Sequence, residues 1–178
     1  WAGPQQTYLM SAGSEAFIGI WAGTTLAGST VSGNTVYGLR STTATAAVRV
    51  AGITLASVTT GANMCAKNFV HSLSSASSGL GSIVGIFNSG ALYALQNNMI
   101  RLGYDETGTA LTTSHYYYGI LHSTSTNSPV LFNTVYVGGT GVGTGSALTY
   151  AFMKNVTAGT SSVHDIRNNI FVNERSNG

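Results

Sequence analysis

The adjacent acidic pair Asp105-Glu106 and the nearby His115 are the first residues of this chain whose types could do chemistry. A glycoside hydrolase needs two carboxyl groups at a defined separation. A polysaccharide lyase needs a carboxylate cluster for calcium and a basic residue that accepts a proton. The other three of the five acidic residues are scattered along the sequence, so neither set is complete. Asp105, Glu106 and His115 are therefore only a candidate site on a loop, without a complete catalytic set. We predict that the chain is not an enzyme, with a polysaccharide lyase or glycoside hydrolase as the alternative.

The four histidines are the second candidate set, because imidazole is a common metal ligand. They are His71, His115, His122 and His164. No two of them have the close spacing that is typical of zinc ligands. We therefore predict no metal site and no cofactor.

The composition favours short strands over helices. Charged residues make up 7% of the chain, whereas Gly occurs 23 times and Thr, Ser, Val and Asn fill much of the rest. These residues are poor helix formers, and the 43% share of hydrophobic residues is too high for a disordered chain. The net charge of +2 comes from scattered basic residues, and no apolar run approaches the ~20 residues that a membrane-spanning helix needs. We expect neither nucleic-acid binding nor membrane insertion.

A repeated phrase, Asn-x-apolar, provides the frame that positions these residues. It aligns on Asn34, Asn68, Asn98, Asn133 and Asn169. The residue two positions after each Asn is apolar, and so is the residue three positions before it. Because a flat strand would place only even offsets on one face, the chain must bend at Asn, which tolerates left-handed backbone. We expect the five side chains to bond one another as a structural ladder, and Cys65 to pack as a small core residue.

A second series has nearly the same period. A small residue precedes a large apolar one at Gly19-Ile20, Gly52-Ile53, Gly85-Ile86, Gly119-Ile120 and Ala151-Phe152. Two positions before each large residue stands another apolar residue or a Tyr, which indicates strand-like alternation. Each period of roughly 33 residues therefore holds three short strands, and a period in this range indicates a solenoid.

These observations predict an all-β fold, a right-handed parallel β-helix of about five coils with three short strands in each coil. The hand follows from the general rule for parallel crossovers. Residues 1–178 are expected to form this single domain. The chain begins and ends inside a coil without a polar cap. We therefore expect either a fragment of a longer solenoid or a unit that stacks end to end.

One outward column of the predicted helix carries mixed chemistry. The positions three residues after the ladder asparagines are Tyr37, His71, Arg101 and Tyr136, followed by Val172. They are offset by one from an inward column, so they are expected to face solvent about 4.8 Å apart in adjacent coils. Aromatic, His and Arg side chains in a row suit sugar rings. These four residues are therefore a predicted carbohydrate-binding face.

Several phrases of the chain resemble repeats of a known kind. The stretches NNMIRLG, YYYGILHSTS, FNTVYVGG and HDIRNNIFVNERSNG resemble the right-handed β-helix repeats of very large secreted surface proteins from Bacteroidota- and Chlorobi-type bacteria. The resemblance covers about residues 34–178. It implies an extracellular or cell-surface location and a role in adhesion or surface structure, without a specific ligand. The Asn and Gly-Ile signature is similar to that of polysaccharide lyases and phage tailspikes as well, so it specifies fold better than function.

Together these arguments predict a non-enzymatic, structural or adhesive rod that forms part of a cell-surface protein or fibre. Its expected partners are a second copy joined end to end, or neighbouring coils of a parent chain, and a glycan. The alternatives are a carbohydrate-binding surface module and a β-helix lyase or hydrolase.

Overall fold

The computed structural model is an all-β parallel solenoid, which confirms the predicted fold class. The structure describes residues 16–23, 25–56, 60–124, 127–156 and 164–176, so part of the predicted domain over residues 1–178 lies outside the described residues. Among the described residues, no helix is long and apolar enough to cross a bilayer.

Three five-stranded parallel sheets run along the solenoid, together with a two-stranded fourth sheet. Sheet A contains the Gly-Ile strands Ala16–Gly23, Arg49–Ala56, Ser82–Ser89, Tyr116–His122 and Thr149–Lys154. Sheet B contains Thr30–Ser32, Asn63–Ala66, Tyr93–Gln96, Val130–Leu131 and Ile166–Arg167. Sheet C contains Thr35–Tyr37, Phe69–His71, Met99–Leu102, Thr134–Val137 and Ile170–Asn173. Sheet D pairs Arg40–Ser41 with Ser74–Ser75.

The strand register follows the sequence repeat. In sheet A, Ile20 pairs with Ile53 and Ile53 with Ile86. In sheet B, Leu95 pairs with Cys65 on one side and with Val130 on the other. The chain completes about four turns rather than the predicted five coils, because five stacked strands enclose four intervals of about 34 residues. The right-handed sense of the winding stays a prediction.

The core is a narrow apolar column enclosed by the three sheets. Val70 and Ile100 of sheet C, Cys65 and Leu95 of sheet B, and Ile86 of sheet A are fully or almost fully buried in it. Burial raises the pKa of the Cys65 thiol to about 12, so the thiol stays protonated and packs as a hydrophobic group. Burial weakens in the last described layer, where Phe171 is only partly buried against the core.

The sharp corner before sheet C lies one residue earlier than predicted. The left-handed residue in each layer precedes the ladder Asn. These residues are Gly33, Lys67, Asn97, Phe132 and Asn168, with φ between 52° and 68°. The prediction that the ladder Asn itself takes the left-handed backbone is therefore wrong. The preceding residue takes the turn, and this directs the Asn side chain along the solenoid axis, where the neighbouring layers offer partners.

The Gly-Ile strands bend at the glycine. Ile53 packs in the main core, whereas Ala51, two positions earlier, belongs to a separate cluster with Val84 on the outer face of sheet A. The predicted alternation is thus interrupted at this point. A Cβ atom at Gly85 would lie 2.5 Å from the Gly119 carbonyl oxygen of the next layer, so the close approach of successive layers requires glycine there.

Candidate functional site

The ladder asparagines lie at the corner between sheets B and C and form one continuous row of hydrogen bonds. In the first four layers Nδ2 donates to Oδ1 of the next Asn at 2.9 Å, in the pairs Asn34–Asn68, Asn68–Asn98, Asn98–Asn133 and Asn133–Asn169. The backbone N–H of the same residue donates to the same Oδ1, at distances between 2.8 and 3.1 Å. The row therefore links all five layers through side chains as well as through the sheets.

The interior ladder amides are buried and fully bonded. Asn98 is 1% exposed, and its Nδ2 also donates to the Cys65 carbonyl oxygen at 2.9 Å. Asn133 repeats this contact with the Leu95 carbonyl oxygen at 2.9 Å. An unbonded buried amide would destabilise the fold by about 1–3 kcal/mol, and the row avoids that penalty. Carboxamides do not titrate in the ordinary pH range, so this arrangement serves structure rather than acid–base chemistry.

The predicted outward column of sheet C is in register. Tyr37 pairs with His71, His71 with Arg101, and Arg101 with Tyr136. The rings of Tyr37 and His71 are stacked, with centroids 5.2 Å apart and an angle of 8° between the planes. Stacked rings present their edges outward and cover each other's faces. Tyr37 is the half-exposed first ring of the stack, with 50% of its surface accessible.

The second half of this column includes two residues that the sequence pattern did not indicate. The Arg101 guanidinium lies 4.5 Å from the centroid of the Tyr104 ring, and Tyr104 stacks on Tyr136 at 6.3 Å. The Tyr136 hydroxyl donates to a Glu174 carboxylate oxygen at 3.1 Å. The contact with Tyr104, followed by burial and Glu174, raises the pKa of Tyr136 to about 12, so the hydroxyl remains a donor. Tyr104 and Glu174 lie on loops outside the repeat, which is why the aligned columns did not reveal them.

The pKa of His71, the histidine of this column, is affected both by its burial and by the neighbouring Arg101. Burial, and then the positive charge of Arg101, lower the pKa of His71. The His71 Nδ1 lies 2.9 Å from the Ser72 hydroxyl. The face therefore carries one permanent cation, aromatic edges and hydroxyl groups, together with the Glu174 carboxylate.

The acidic pair is part of a self-contained loop. Asp105 Oδ1 accepts hydrogen bonds from the Thr107 N–H and Oγ1 and from the Thr109 N–H, at 2.8–2.9 Å. These bonds, with the Thr107 side chain first, lower the pKa of Asp105. Glu106 is exposed beside it. The carboxylate of Asp105 thus holds the turn closed, as in an Asx turn.

His115 lies in a different environment from the acidic pair. It is 2% exposed, and its Nδ1 accepts the Gly81 N–H at 3.3 Å. Burial is the largest cause that lowers the pKa of His115. Within the described part of the chain, no hydrogen bond or ion pair joins His115 to Asp105 or Glu106. The structure therefore does not assemble these three residues into one site.

Two of the histidines do meet, although they stand far apart in sequence. The rings of His122 and His164 contact each other edge to face with centroids 5.2 Å apart. His122 is completely buried, and burial lowers its pKa to about 4. Over the described ranges, His, Cys, Asp and Glu side chains form no group of three or more that could hold a metal ion.

Comparison of the chain with protein-family models, with curated proteins and with solved structures finds no match.

Proposed function

We propose that this chain is a non-enzymatic structural rod that forms part of an extracellular or cell-surface protein or fibre. The observation that carries the proposal is the unbroken Asn ladder, whose interior amides are buried and bonded in every layer. A row of bonds parallel to the axis adds side-chain links to the three sheets. Such a body resists bending and local opening, because opening one layer breaks its ladder and sheet bonds to the layers on either side. The resemblance to large secreted surface proteins of Bacteroidota- and Chlorobi-type bacteria supports the location.

The low charge of the chain fits this role. Charged residues make up 7% of the sequence, with a net charge of +2. Little electrostatic repulsion therefore opposes lateral or end-on packing of such rods.

The last described ladder residue suggests how the rod is extended. The Nδ2 of Asn169 bonds the Val130 carbonyl oxygen as the interior ladder residues bond theirs, and it donates to the Arg167 carbonyl oxygen in place of a ladder Oδ1. A further coil with an Asn at this corner would supply that acceptor. We infer that either a second copy or further coils of a parent chain can occupy this position.

Electron microscopy of the purified chain over a range of concentrations tests this proposal. We expect rods one solenoid wide that lengthen with concentration if copies join, or short rigid rods of constant length if they do not. Limited proteolysis in parallel is expected to cut in loops and to spare the three sheets. Irregular, bent particles, or rapid cleavage within the ladder corner, would contradict the structural role.

A second candidate is carbohydrate binding by the outward column of sheet C. It is favoured by the half-exposed Tyr37 ring and by the neighbouring Tyr136 hydroxyl and Arg101 guanidinium, which offer a ring surface and polar partners. Replacement of Tyr37 and Tyr136 by Ser is expected to abolish binding in a glycan array, and Trp21→Ser at an exposed aromatic residue of sheet A serves as the control. Binding that survives the double replacement would remove this face from consideration.

The enzyme alternative has a direct test. Turnover of an acidic polysaccharide that persists after Asp105→Ala and Glu106→Ala would exclude these carboxylates as catalytic groups. Wild-type turnover that is lost in these variants, with folding retained, would support the enzyme alternative and contradict a purely structural role.

A further inference from the structure

A hollow on the outer face of sheet A has the properties of a small binding site. Its volume is about 290 Å³. The residues that line it and carry the argument are Arg49, Tyr116, Tyr118, Leu121, Met153 and Asn155. We propose that this hollow binds a small carboxylate carried on a single ring. The proposal goes beyond the structural role and concerns a different face from the column of Tyr37 and Tyr136.

Arg49 provides the charge for this site. It begins a sheet A strand in the same column as Ser82 and Tyr116, and its guanidinium lies 4.8 Å from the centroid of the Phe87 ring. Its Nε is buried without a hydrogen-bond partner. Within the described ranges, Arg167 forms an ion pair with Asp165, whereas Arg49 forms none. Because the Nε is covered by the protein, a ligand carboxylate would meet the terminal nitrogen atoms of this half-buried guanidinium, which offer charge-assisted hydrogen-bond donors.

The walls of the hollow supply a surface for a ring. The Tyr116 and Tyr118 rings are stacked with centroids 6.3 Å apart, and Tyr118 stacks in turn on Tyr150 at 5.6 Å. Leu121 is 7% exposed and packs with the outer-face cluster, which makes the floor apolar. A flat ring with apolar C–H groups therefore finds aromatic and aliphatic contacts beside the guanidinium.

The size and the charge of the hollow limit the class of ligand that it can bind. A volume of about 290 Å³ lies just below the ~300–1,000 Å³ that is usual for small-molecule sites, so one ring fits and a large ligand does not. Arg49 is the only cationic residue that lines the hollow within the described part of the chain. One cation matches a monoanionic carboxylate better than a doubly charged phosphate. A uronic acid residue and an aromatic acid share this chemistry.

Binding experiments with matched acidic and neutral probes test the proposal. Isothermal titration calorimetry would use galacturonate against galactose, and benzoate against benzyl alcohol, at neutral pH and low salt. We expect at least one acid to bind at least tenfold more tightly than its neutral partner, with affinity that falls as salt is added. The galacturonate arm identifies a sugar ligand and the benzoate arm an aromatic acid. Equal binding of acid and neutral probe, or no saturable binding, would overturn the proposal.

Two variants locate the binding. Arg49→Gln is expected to reduce the affinity for the acid at least tenfold, whereas the matched control Arg40→Gln, at an exposed arginine of sheet D, leaves it unchanged. Leu80→Glu places a negative charge on the exposed rim of the hollow and is expected to weaken acid binding in the same way, independently of Arg49. Undiminished affinity in both site variants would exclude this hollow. None of these outcomes depends on whether the chain forms rods, so the two proposals fail separately.

Discussion

The Asn ladder and the end of the Tyr116–His122 strand both bury polar side chains, but they differ in what those side chains contact. Asn98 is 1% exposed, and its Oδ1 and Nδ2 bond two neighbouring layers. His122 is completely buried, and neither ring nitrogen has a hydrogen-bond partner. Its ring packs instead against Phe152 and against the edge of His164.

The fold therefore contains two kinds of buried polar side chain, one with hydrogen-bond partners in the neighbouring layers and one without. The ladder repeats identically in each layer, so every donor meets an acceptor of the next copy of the motif. His122 belongs to the variable part of the repeat, and the adjacent layer offers an aromatic ring in place of an acceptor. The ladder should therefore stabilise the fold at every pH, whereas the histidine should make its stability depend on pH.

The largest expected effect comes from breaking the ladder at its centre. Asn98→Ala leaves the Asn68 amide donors and the Cys65 carbonyl oxygen without their partner, at about 1–3 kcal/mol for each buried group. We expect the free energy of unfolding in urea to fall by about 3–5 kcal/mol. The control is the adjacent exposed Asn97→Ala, which should cost about 1 kcal/mol through its left-handed backbone. Equal losses in the two variants would show that the ladder has no special role.

The next effect is a pH dependence. Burial first, and then His164 and Lys154, lower the pKa of His122 from 6.5 to about 4. Between pH 4 and pH 6.5, His122 is protonated in the unfolded chain and neutral in the folded chain. With respect to His122 the fold is therefore most stable above pH 6.5, and it loses up to about 3 kcal/mol of stability as the pH falls towards 4. Urea unfolding of the wild type and of His122→Phe across this range measures the difference. The same pH slope in both proteins would exclude His122 as the cause.

A smaller effect is expected at high pH, where His122 is neutral. His122→Phe keeps the ring and removes two buried nitrogen atoms that lack partners. We expect the free energy of unfolding at pH 8 to rise by about 1–2 kcal/mol. His71→Phe is the control and should give no gain, because the His71 Nδ1 already has the Ser72 hydroxyl as a partner. A loss of stability in His122→Phe would mean that the nitrogen atoms contribute favourable contacts.

The smallest effect concerns the backbone that supports the ladder. Lys67 has a φ of 55°, which costs an ordinary residue about 1–2 kcal/mol, whereas glycine accepts it at the expense of greater freedom in the unfolded chain. We expect Lys67→Gly to raise the free energy of unfolding by about 0.5 kcal/mol. The reverse change at the same corner, Gly33→Ala, should lower it by about 1 kcal/mol, because φ is 68° there and open space surrounds the missing side chain. Changes of the same sign in both variants would contradict this account.

Prediction from the sequence succeeded where a residue type recurs at the period of the coil. The spacing of Asn68 and Asn98 places them in adjacent layers, and the same period aligns His71 with Arg101. Such contacts require only that successive coils stack in register. Apolar columns on both sides of each Asn likewise indicated which face of sheets B and C is buried.

Prediction was less successful where the chain bends. The interruption at Gly85 moves Ile86 and Val84 to different faces of sheet A, and a period-two pattern cannot represent that change. The left-handed residue before Asn133 is Phe132, a residue type that no turn propensity favours. Stacking against the adjacent layers overrides the local preference at such positions.

The sequence by itself determined the period, the strand content and the identity of the axial ladder, because these depend on residue types repeated at a constant spacing. Only the tertiary structure decided that Arg49 lies over Phe87, that His122 meets His164, and that Tyr136 reaches Glu174. These contacts join different columns of different layers. Their distances depend on how the bends and loops of each turn are shaped, and a linear spacing does not contain that information.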